Sequence, residues 1–249
     1  MADAEARSPL ALTMGEPAGI GPEIALKAWL GRRQRRLPAF VLLDDPAHLA
    51  AVARQLGAEV PIAEVSAPAA ATAQFQDALP VLPLRLTREA VPGEPDPSNA
   101  AAVLEAIDKA VALALKGEVR GLVTNPIHKA TLYRAGFRHQ GHTDYLAALS
   151  GAGQSPVMML AAPGIRVVPV TVHLALRDAV AALTTDAIVA AGEVAARALV
   201  SDFDLAETGW HPTAQAAAVC AELAPANLSV APSVPKPAKQ SLLSSRLDE

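Results

Sequence analysis

Short apolar runs alternate with longer segments rich in alanine and leucine, and this alternation constrains the fold more than any other feature of the sequence. The short runs are rich in β-branched residues and lack a polar–apolar alternation, as strands buried on both faces do. They cover residues 38–45, 119–126, 155–160 and 165–173. The longer segments carry apolar residues three and four positions apart, which predicts helices over residues 22–31, 46–56, 98–116, 126–135, 143–150, 175–183 and 186–200. This order predicts an α/β sandwich around a largely parallel sheet.

Residues that favour helix starts stand at the beginning of several predicted helices. Pro22 suits a first helical turn, because its missing N–H has no partner there in any case. Ser98, Thr143 and Thr185 have side-chain oxygens that accept hydrogen bonds from free backbone N–H groups. We therefore expect these three residues to cap the helices that follow them.

Composition excludes several classes of protein. The chain has 249 residues with a formal net charge of −4, and its lysines and arginines form no basic stripe of the kind that follows a nucleic-acid backbone. Its apolar runs end well before the roughly 18 residues that a bilayer crossing needs, and residues 1–10 do not resemble a secretory signal. We therefore expect a cytoplasmic protein that binds neither nucleic acid nor membrane.

Cysteine usage limits the kind of metal site that the chain can build. Cys220 is the one cysteine, which excludes an intramolecular disulfide and a cysteine-based zinc cluster. Any bound metal would have to be held by histidines and carboxylates.

Glycines precede a predicted helix in "TMGEPAGIGPEIALKAW", residues 13–29. Gly15, Gly19 and Gly21 stand just before Pro22, so that backbone N–H groups and the positive end of a helix could face an anion. Their spacing differs from the dinucleotide-binding pattern GxGxxG. The alternative is a tight strand-to-helix connection, which is the more common use of glycine.

A second candidate site lies in "GLVTNPIHKATLYRAGF", residues 121–137. The predicted strand ends at Thr124, and His128 and Lys129 follow in the first turn of the next helix. Open α/β sheets bind ligands at the carboxyl ends of their strands, so Lys129 is placed to meet a phosphate or a carboxylate. The alternative is an ordinary solvated lysine, which is the more common role of this residue type.

Two further stretches concentrate hydrogen-bonding side chains. In "GHTDY", residues 141–145, His142 and Thr143 offer donors and acceptors at a helix start, either to a substrate or only to the turn itself. His139 is expected at the surface. In "VVPVTVHLALRD", residues 167–178, His173 ends a predicted strand, where it is either a metal ligand, a general acid or base, or a structural residue.

Taken in this order, the four stretches resemble the 4-hydroxythreonine-4-phosphate dehydrogenase family of pyridoxal phosphate biosynthesis. The resemblance runs from about Leu10 to about Asp204 and includes "TMGEPAGIGPE", "GLVTNPIHKATLYRAGF", "GHTDYLA" and "VTVHLALRD". It implies the isocitrate/isopropylmalate-dehydrogenase-like α/β/α sandwich. The implied lobes cover residues 1–124 and 125–208, and residues 209–249 form an unmatched tail.

The resemblance also implies an activity. Members oxidise 4-phosphohydroxy-L-threonine with NAD or NADP and decarboxylate the product to 3-amino-2-oxopropyl phosphate, using a divalent metal such as Zn, Mg or Co to hold the substrate's hydroxyl and amino groups. On this basis His142 and Thr143 are expected to bind substrate, and His173 to be the first of three histidine metal ligands. A homodimer is expected as well.

The sequence departs from the family pattern after about Asp204. The Asn-Pro-His-Ala-Gly-Glu and His-Asp-Gln-Gly motifs, which carry the other two metal histidines, do not occur in it. Residues 210–249 contain five prolines and no glycine, which predicts a disordered tail apart from a short helix over 214–224. We therefore expect a C-terminally incomplete fold with an impaired metal site. A frameshift in the gene and a genuine truncated variant are the two hypotheses for it.

Two other functions stay open at this point. One is the paralogous group of dehydrogenases that act on D-erythronate or D-threonate 4-phosphate, because the same N-terminal motifs occur there. The other is a binding or dimerisation partner without catalytic activity. Side-by-side turnover of the substrates separates the first alternative, and binding without turnover indicates the second.

Overall fold

The computed structural model describes residues 8–151 and 156–203. The chain divides into two compact units, Met1–Gln154 and Ser155–Glu249, and each is described by itself. The tail predicted for residues 209–249 lies outside the described residues. The two lobes predicted from the sequence, 1–124 and 125–208, stay a prediction.

The first unit alternates strands and helices. Its elements in chain order are β1 (Leu10–Thr13), α1 (Gly21–Leu30), β2 (Phe40–Asp44), α2 (Pro46–Gln55), β3 (Ile62–Glu64), α3 (Pro68–Gln74), β4 (Leu79–Pro83), a 3₁₀ turn (Pro97–Asn99), α4 (Ala100–Leu115), β5 (Leu122–Thr124), α5 (Lys129–Arg134) and α6 (His142–Ser150). The helices predicted in this part of the chain are thus confirmed, with α5 starting three residues later than expected.

The five strands form one parallel sheet in the order β3-β4-β2-β1-β5. Successive side chains of a strand point to opposite faces, so this sheet has two apolar faces to bury. Ala11 of β1 belongs to the core that includes Val103 of α4. The next residue, Leu12, belongs to the core that includes Leu26 of α1 and Leu49 of α2. Helices therefore cover both faces, and the predicted α/β sandwich is confirmed.

Strands β1, β3 and β4 lie outside the predicted strand runs, and β4 is unusual because prolines are rarely found in a central strand. Its pairing with β3 runs over Leu79–Val81, and its pairing with β2 runs over Val81–Pro83. Successive N–H groups of a strand point to opposite neighbours, and the N–H of Leu79 donates to Pro61 O, on the β3 side, at 2.8 Å. The Pro80 nitrogen therefore faces β2, at a position before the β2–β4 pairing begins. The Pro83 nitrogen faces β3, at a position after the β3–β4 pairing has ended. Neither proline removes a bond from the ladders.

The helix caps differ from those predicted. Gly141 rather than Thr143 is the N-cap of α6, and no side chain caps that helix. Ser98 caps nothing: Asp96 caps the 3₁₀ turn, and Asn99 is the N-cap of α4. Ser98 thus lies within the 3₁₀ turn, and Thr143 lies within the first turn of α6, instead of preceding them as caps. The preference for small polar residues places a cap only to within a residue or two.

The second unit contains a short antiparallel hairpin and two helices. They are β6 (Leu160–Ala162), β7 (Ile165–Val167), α7 (Leu176–Ala182) and α8 (Thr185–Ser201). Thr184, and not Thr185, caps α8, since its hydroxyl accepts from Ala187 N at 3.2 Å. Both helices were predicted. Among the described residues no single helix is long and apolar enough to span a membrane, and α7 and α8 pass that test only together, bent by 87°.

The two strand predictions for this unit were wrong in extent and in burial. A buried strand over 165–173 was expected, but β7 ends at Val167 and all three of its residues are exposed. The run 155–160 contributes only Leu160 to a strand, and residue 155 lies outside the described residues. Every described residue of this unit is at least partly exposed. An apolar run indicates a strand only where a covering layer buries it.

Candidate functional site

The carboxyl ends of β1 and β5 are joined by one buried side chain. Asn125, which directly follows β5, is 4% exposed and donates from Nδ2 to Thr13 O at 3.0 Å and to Gly21 O at 3.3 Å. The backbone of the two loops is also connected, since Glu16 N donates to Pro126 O at 2.8 Å. These bonds fix the loop between β1 and α1 against the segment that leads to Lys129.

Close packing against Asn125 explains two of the glycines in the loop after β1. Gly15 has φ +73°, and a Cβ atom there would lie 2.7 Å from both Asn125 Cβ and Pro126 O. A Cβ atom at Gly21 would overlap Met14 O and approach Asn125 Cβ to 3.2 Å. Glycine is therefore required by neighbouring protein atoms at both positions. The tight strand-to-helix connection accounts for this stretch without an anion.

Two titratable side chains lie along the same loop. Burial raises the pKa of Glu16, and nearby Asp96 adds to this, while a hydrogen bond from Ala18 N at 3.1 Å and nearby His128 oppose it. Burial lowers the pKa of His48, whose Nε2 lies 3.1 Å from Pro17 O. A neutral His48 with its proton on Nε2 donates to that carbonyl group. Both groups thus hold the loop in place.

Residues 141–145, the "GHTDY" stretch, form the start of α6. Gly141 is extended, with φ 169°, and His142 is the first helical residue. His142 is half-buried, and its Nε2 atom is buried with no hydrogen-bond partner among the described residues. Thr143 is exposed in the first turn. The structure therefore places a buried imidazole nitrogen next in sequence to an exposed hydroxyl group.

Lys129 is brought to the same place by the segment that follows β5. It is the first residue of α5, and its Nζ and Cε atoms lie 3.4 Å from the position of a Cβ atom built on Gly141. Burial lowers the pKa of His142, and the charge of Lys129 lowers it further. The neutral imidazole of His142 and the ammonium group of Lys129 therefore share one site at the carboxyl edge of the sheet.

Helix α6 is held in position by aromatic packing and one polar bond. Tyr145 packs edge-on against Phe137, with ring centroids 5.1 Å apart, and its hydroxyl group donates to Oδ1 of Asp108 on α4. His139, expected at the surface, is partly buried with its ring 4.9 Å from that of Tyr145, and its Nδ1 lies 3.5 Å from Asp144 Oδ2. Sequence patterns did not indicate these contacts.

Two adjacent acids stand at the end of β2. Asp45 caps α2, accepting from Ala47 N at 2.9 Å, and its other oxygen accepts from Leu86 N at 3.0 Å. Asp44 is fully buried, and its Oδ1 accepts from Asp45 N at 2.7 Å while its Oδ2 has no partner among the described residues. Burial raises the pKa of Asp44 to about 8. Asp44 is thus largely protonated at neutral pH.

His173, the predicted metal ligand, lies in the second unit. It is exposed, it follows β7 instead of ending a buried strand, and its φ is +57°. In the part of the chain that the structure describes, no three histidine, cysteine, aspartate or glutamate side chains lie close enough to hold a metal ion. The described residues alone therefore do not fit a metal site, and the role of His173 stays a prediction.

Asn125 and the Tyr145–Asp108 pair are the contributors to this site that sequence reasoning missed. A polar residue directly after a predicted strand, as at Asn125, is a signal that could have been used. The partners Tyr145 and Asp108 are 37 positions apart, and no local pattern connects them.

Sequence comparison identifies relatives over most of the chain. The family described as "Pyridoxal phosphate biosynthetic protein PdxA" matches residues 36–210. The 4-hydroxythreonine-4-phosphate dehydrogenase of Bradyrhizobium diazoefficiens is 50% identical over 212 residues, which are 81% of this chain and 61% of that protein. The chain thus spans about three-fifths of the length of this relative.

Comparison with solved structures also finds proteins named 4-hydroxythreonine-4-phosphate dehydrogenase. A 4-hydroxythreonine-4-phosphate dehydrogenase from Burkholderia phymatum matches with a TM-score of 0.71 at 27% identity, over 82% of this chain and 59% of that one. The enzyme of that name from Klebsiella pneumoniae matches with a TM-score of 0.70 at 27% identity, over 82% and 61%. The isocitrate/isopropylmalate-dehydrogenase-like α/β fold expected from the sequence agrees with these similarities.

Proposed function

This chain belongs to the PdxA family of pyridoxal phosphate biosynthetic proteins, and from that membership we propose that it acts in vitamin B6 biosynthesis as a 4-hydroxythreonine-4-phosphate dehydrogenase. In the proposed reaction the hydroxyl group of 4-phosphohydroxy-L-threonine is oxidised by NAD or NADP. The 3-keto acid then loses carbon dioxide to give 3-amino-2-oxopropyl phosphate. The single observation that carries the proposal is the 50% identity to a relative of that name over a segment that includes most of the first unit.

A bound nicotinamide cofactor would supply the hydride acceptor for this oxidation. The chain's own residues bind and orient the substrate. Burial and the nearby Lys129 charge keep the His142 imidazole neutral, and a neutral ring can exchange a hydrogen bond with a hydroxyl or amino group of the substrate. The exposed hydroxyl group of Thr143 supplies a second bond one residue later.

A divalent metal is part of the same proposal through the family resemblance, with His173 as one ligand. We derive no step through the metal, because the described residues alone do not provide a set of ligands for it. A homodimer and a cytoplasmic location also belong to the proposal.

The test is formation of NADH by the purified 249-residue chain with 4-phosphohydroxy-L-threonine, NAD and Mg²⁺, Zn²⁺ or Co²⁺ in separate assays. The Bradyrhizobium relative serves as the positive control. NADH formation that depends on the substrate supports the proposal. Its absence, while the relative is active under the same conditions, overturns the proposal for this chain. Faster turnover of D-erythronate 4-phosphate or D-threonate 4-phosphate would favour the paralogous function instead.

A further inference from the structure

We propose that Lys129 is a specificity-determining residue of this site: its ammonium group, beside Gly141 and His142, binds an anionic oxygen group of the substrate, either phosphate or carboxylate. The inference rests on the proposed function in naming these two groups, since the proposed substrate carries both. It assigns a role to a residue that the family resemblance left without one.

The first support is the position of Lys129 on the fold. It opens α5 five residues after the end of β5, at the carboxyl edge of a parallel sheet, where open α/β proteins bind their ligands. The loop that leads to Lys129 is fixed by Asn125, whose amide bonds to Thr13 O and Gly21 O. The ammonium group therefore belongs to a segment with a defined place in the sheet.

The second support is the contact between Lys129 and the start of α6. The end of the lysine side chain lies near Gly141, because a Cβ atom built there would lie 3.4 Å from both Cε and Nζ. Glycine is not needed here for its backbone conformation, because φ 169° is open to any residue. The ammonium group therefore lies close to the start of α6, just before His142.

The third support is that the described residues supply no counter-charge to this cation. Among the described residues Lys129 forms no ion pair with a carboxylate, in contrast to Lys27 with Glu23 and Lys109 with Glu105. An anionic oxygen group would therefore supply the counter-charge that the described residues do not give to this ammonium group.

The charges of Lys129 and His142 are consistent with Lys129 as the group that binds the anion. Burial and the Lys129 charge both disfavour the protonated form of His142, so the pair carries one positive charge. A bound anion would partly offset the lysine charge. Binding should therefore raise the pKa of His142, and so should removal of the lysine charge.

The experiment is a ¹H–¹³C NMR titration of the full 249-residue chain, which follows the His142 ring resonances. His142→Gln identifies these resonances, and the two probes are inorganic phosphate and L-threonine, which carries a carboxylate without a phosphate. We expect one probe to shift the His142 resonances in a saturable way, and that probe identifies the group. In Lys129→Met we expect binding at least about tenfold weaker, and in Lys129→Arg largely retained binding.

Lys116→Met is the matched control, because it removes the same charge from another exposed lysine of the first unit. We expect it to leave the titration unchanged. The inference is overturned if neither probe shifts the His142 resonances, or if Lys129→Met binds the probe as tightly as the unchanged chain. A His142 pKa that does not rise in Lys129→Met would contradict the electrostatic step.

Enzyme assays separate this inference from the proposed function. If the unchanged chain forms no NADH but binds the probe, and Lys129→Met loses that binding, the proposed function fails and the inference stands. If the unchanged chain turns over 4-phosphohydroxy-L-threonine and Lys129→Met has the same KM, the proposed function stands and the inference fails.

Discussion

The hydroxyl group of Tyr145 on α6 donates a hydrogen bond to Oδ1 of Asp108 on α4, across 37 positions of sequence. Helix α6 begins with His142, and α4 packs on the central sheet. The bond therefore ties the start of the candidate site to the core of the first unit. Burial and this bond together raise the pKa of Tyr145, because both favour its neutral, donating form.

Tyr145→Phe removes this bond while it keeps the ring that packs on Phe137. We expect a loss of about 1 kcal/mol in the free energy of unfolding of the first unit, measured by urea denaturation. Asp108→Asn is the control, because its side-chain oxygen still accepts from Tyr145, and we expect a smaller loss. Equal stability of Tyr145→Phe and the unchanged chain would contradict a role for this bond.

Gly15→Ala tests the packing between the loop after β1 and Asn125. A Cβ atom there meets Asn125 Cβ and Pro126 O at 2.7 Å, and φ +73° is unfavourable for alanine as well. Gly57→Ala is a matched control, since φ is +62° at Gly57 but nothing lies within 4 Å of its added Cβ. We expect a cost of about 1 kcal/mol for Gly57→Ala and roughly 3 kcal/mol or more for Gly15→Ala in urea denaturation. Similar costs at both positions would show that the loop yields to the extra atom.

Stability should depend on pH through Asp44. Its pKa is raised by burial to about 8, well above that of an unfolded aspartate, so the folded state binds the extra proton between about pH 4 and pH 8. The stability that this proton provides is fully present below about pH 4 and is lost as pH rises through 8.

The measurement is the free energy of unfolding at several pH values for the unchanged chain and for Asp44→Asn, which has no charge to gain. The difference between the two should change by up to about 1.4 kcal/mol per pH unit within this window, in favour of Asp44→Asn at high pH. Because the other titrating groups are common to both proteins, a pH-independent difference would mean that Asp44 is not buried as described.

Thr184→Ala tests the cap of α8 in the second unit. The Thr184 hydroxyl accepts from Ala187 N, so its loss should weaken the first turn by about 1 kcal/mol and speed hydrogen exchange of the Ala187 amide by about fivefold. Thr185→Ala changes the neighbouring threonine, which the sequence favoured as the cap, and should leave that exchange nearly unchanged. The reverse result would restore the sequence-based assignment.

Local patterns were sufficient for the class of fold and for the helices other than α3, which was not predicted. Helix α2 shows why: Asp45 and Pro46 mark its start, and apolar residues follow at helical spacing. The apolar runs that became β2 and β5 carried an equally local signal, although β5 is an edge strand with Val123 exposed. These features depend on neighbouring residues in the chain, and so the sequence revealed them.

Features that depend on tertiary contacts could not be predicted in this way. The prolines of β4 hid a central strand because their effect depends on which neighbouring strand each nitrogen faces. The run 165–173 shows the reverse case, because its apolar composition suggested a buried strand. Strand β7 covers only Ile165–Val167 and is exposed, and His173 has a positive φ instead of a strand conformation. At the site, His142 and Thr143 were recognised by resemblance, but the contact of Lys129 with Gly141 required the fold.

Contact of the substrate with His142 is the central claim of this account. The most direct test is NMR of the 249-residue chain labelled at its histidine rings, with 4-phosphohydroxy-L-threonine added without NAD. We predict a saturable shift of the His142 resonances that is lost in Lys129→Met and retained in Lys129→Arg. Saturable binding that leaves the His142 resonances unmoved would contradict the account, and so would the absence of any binding.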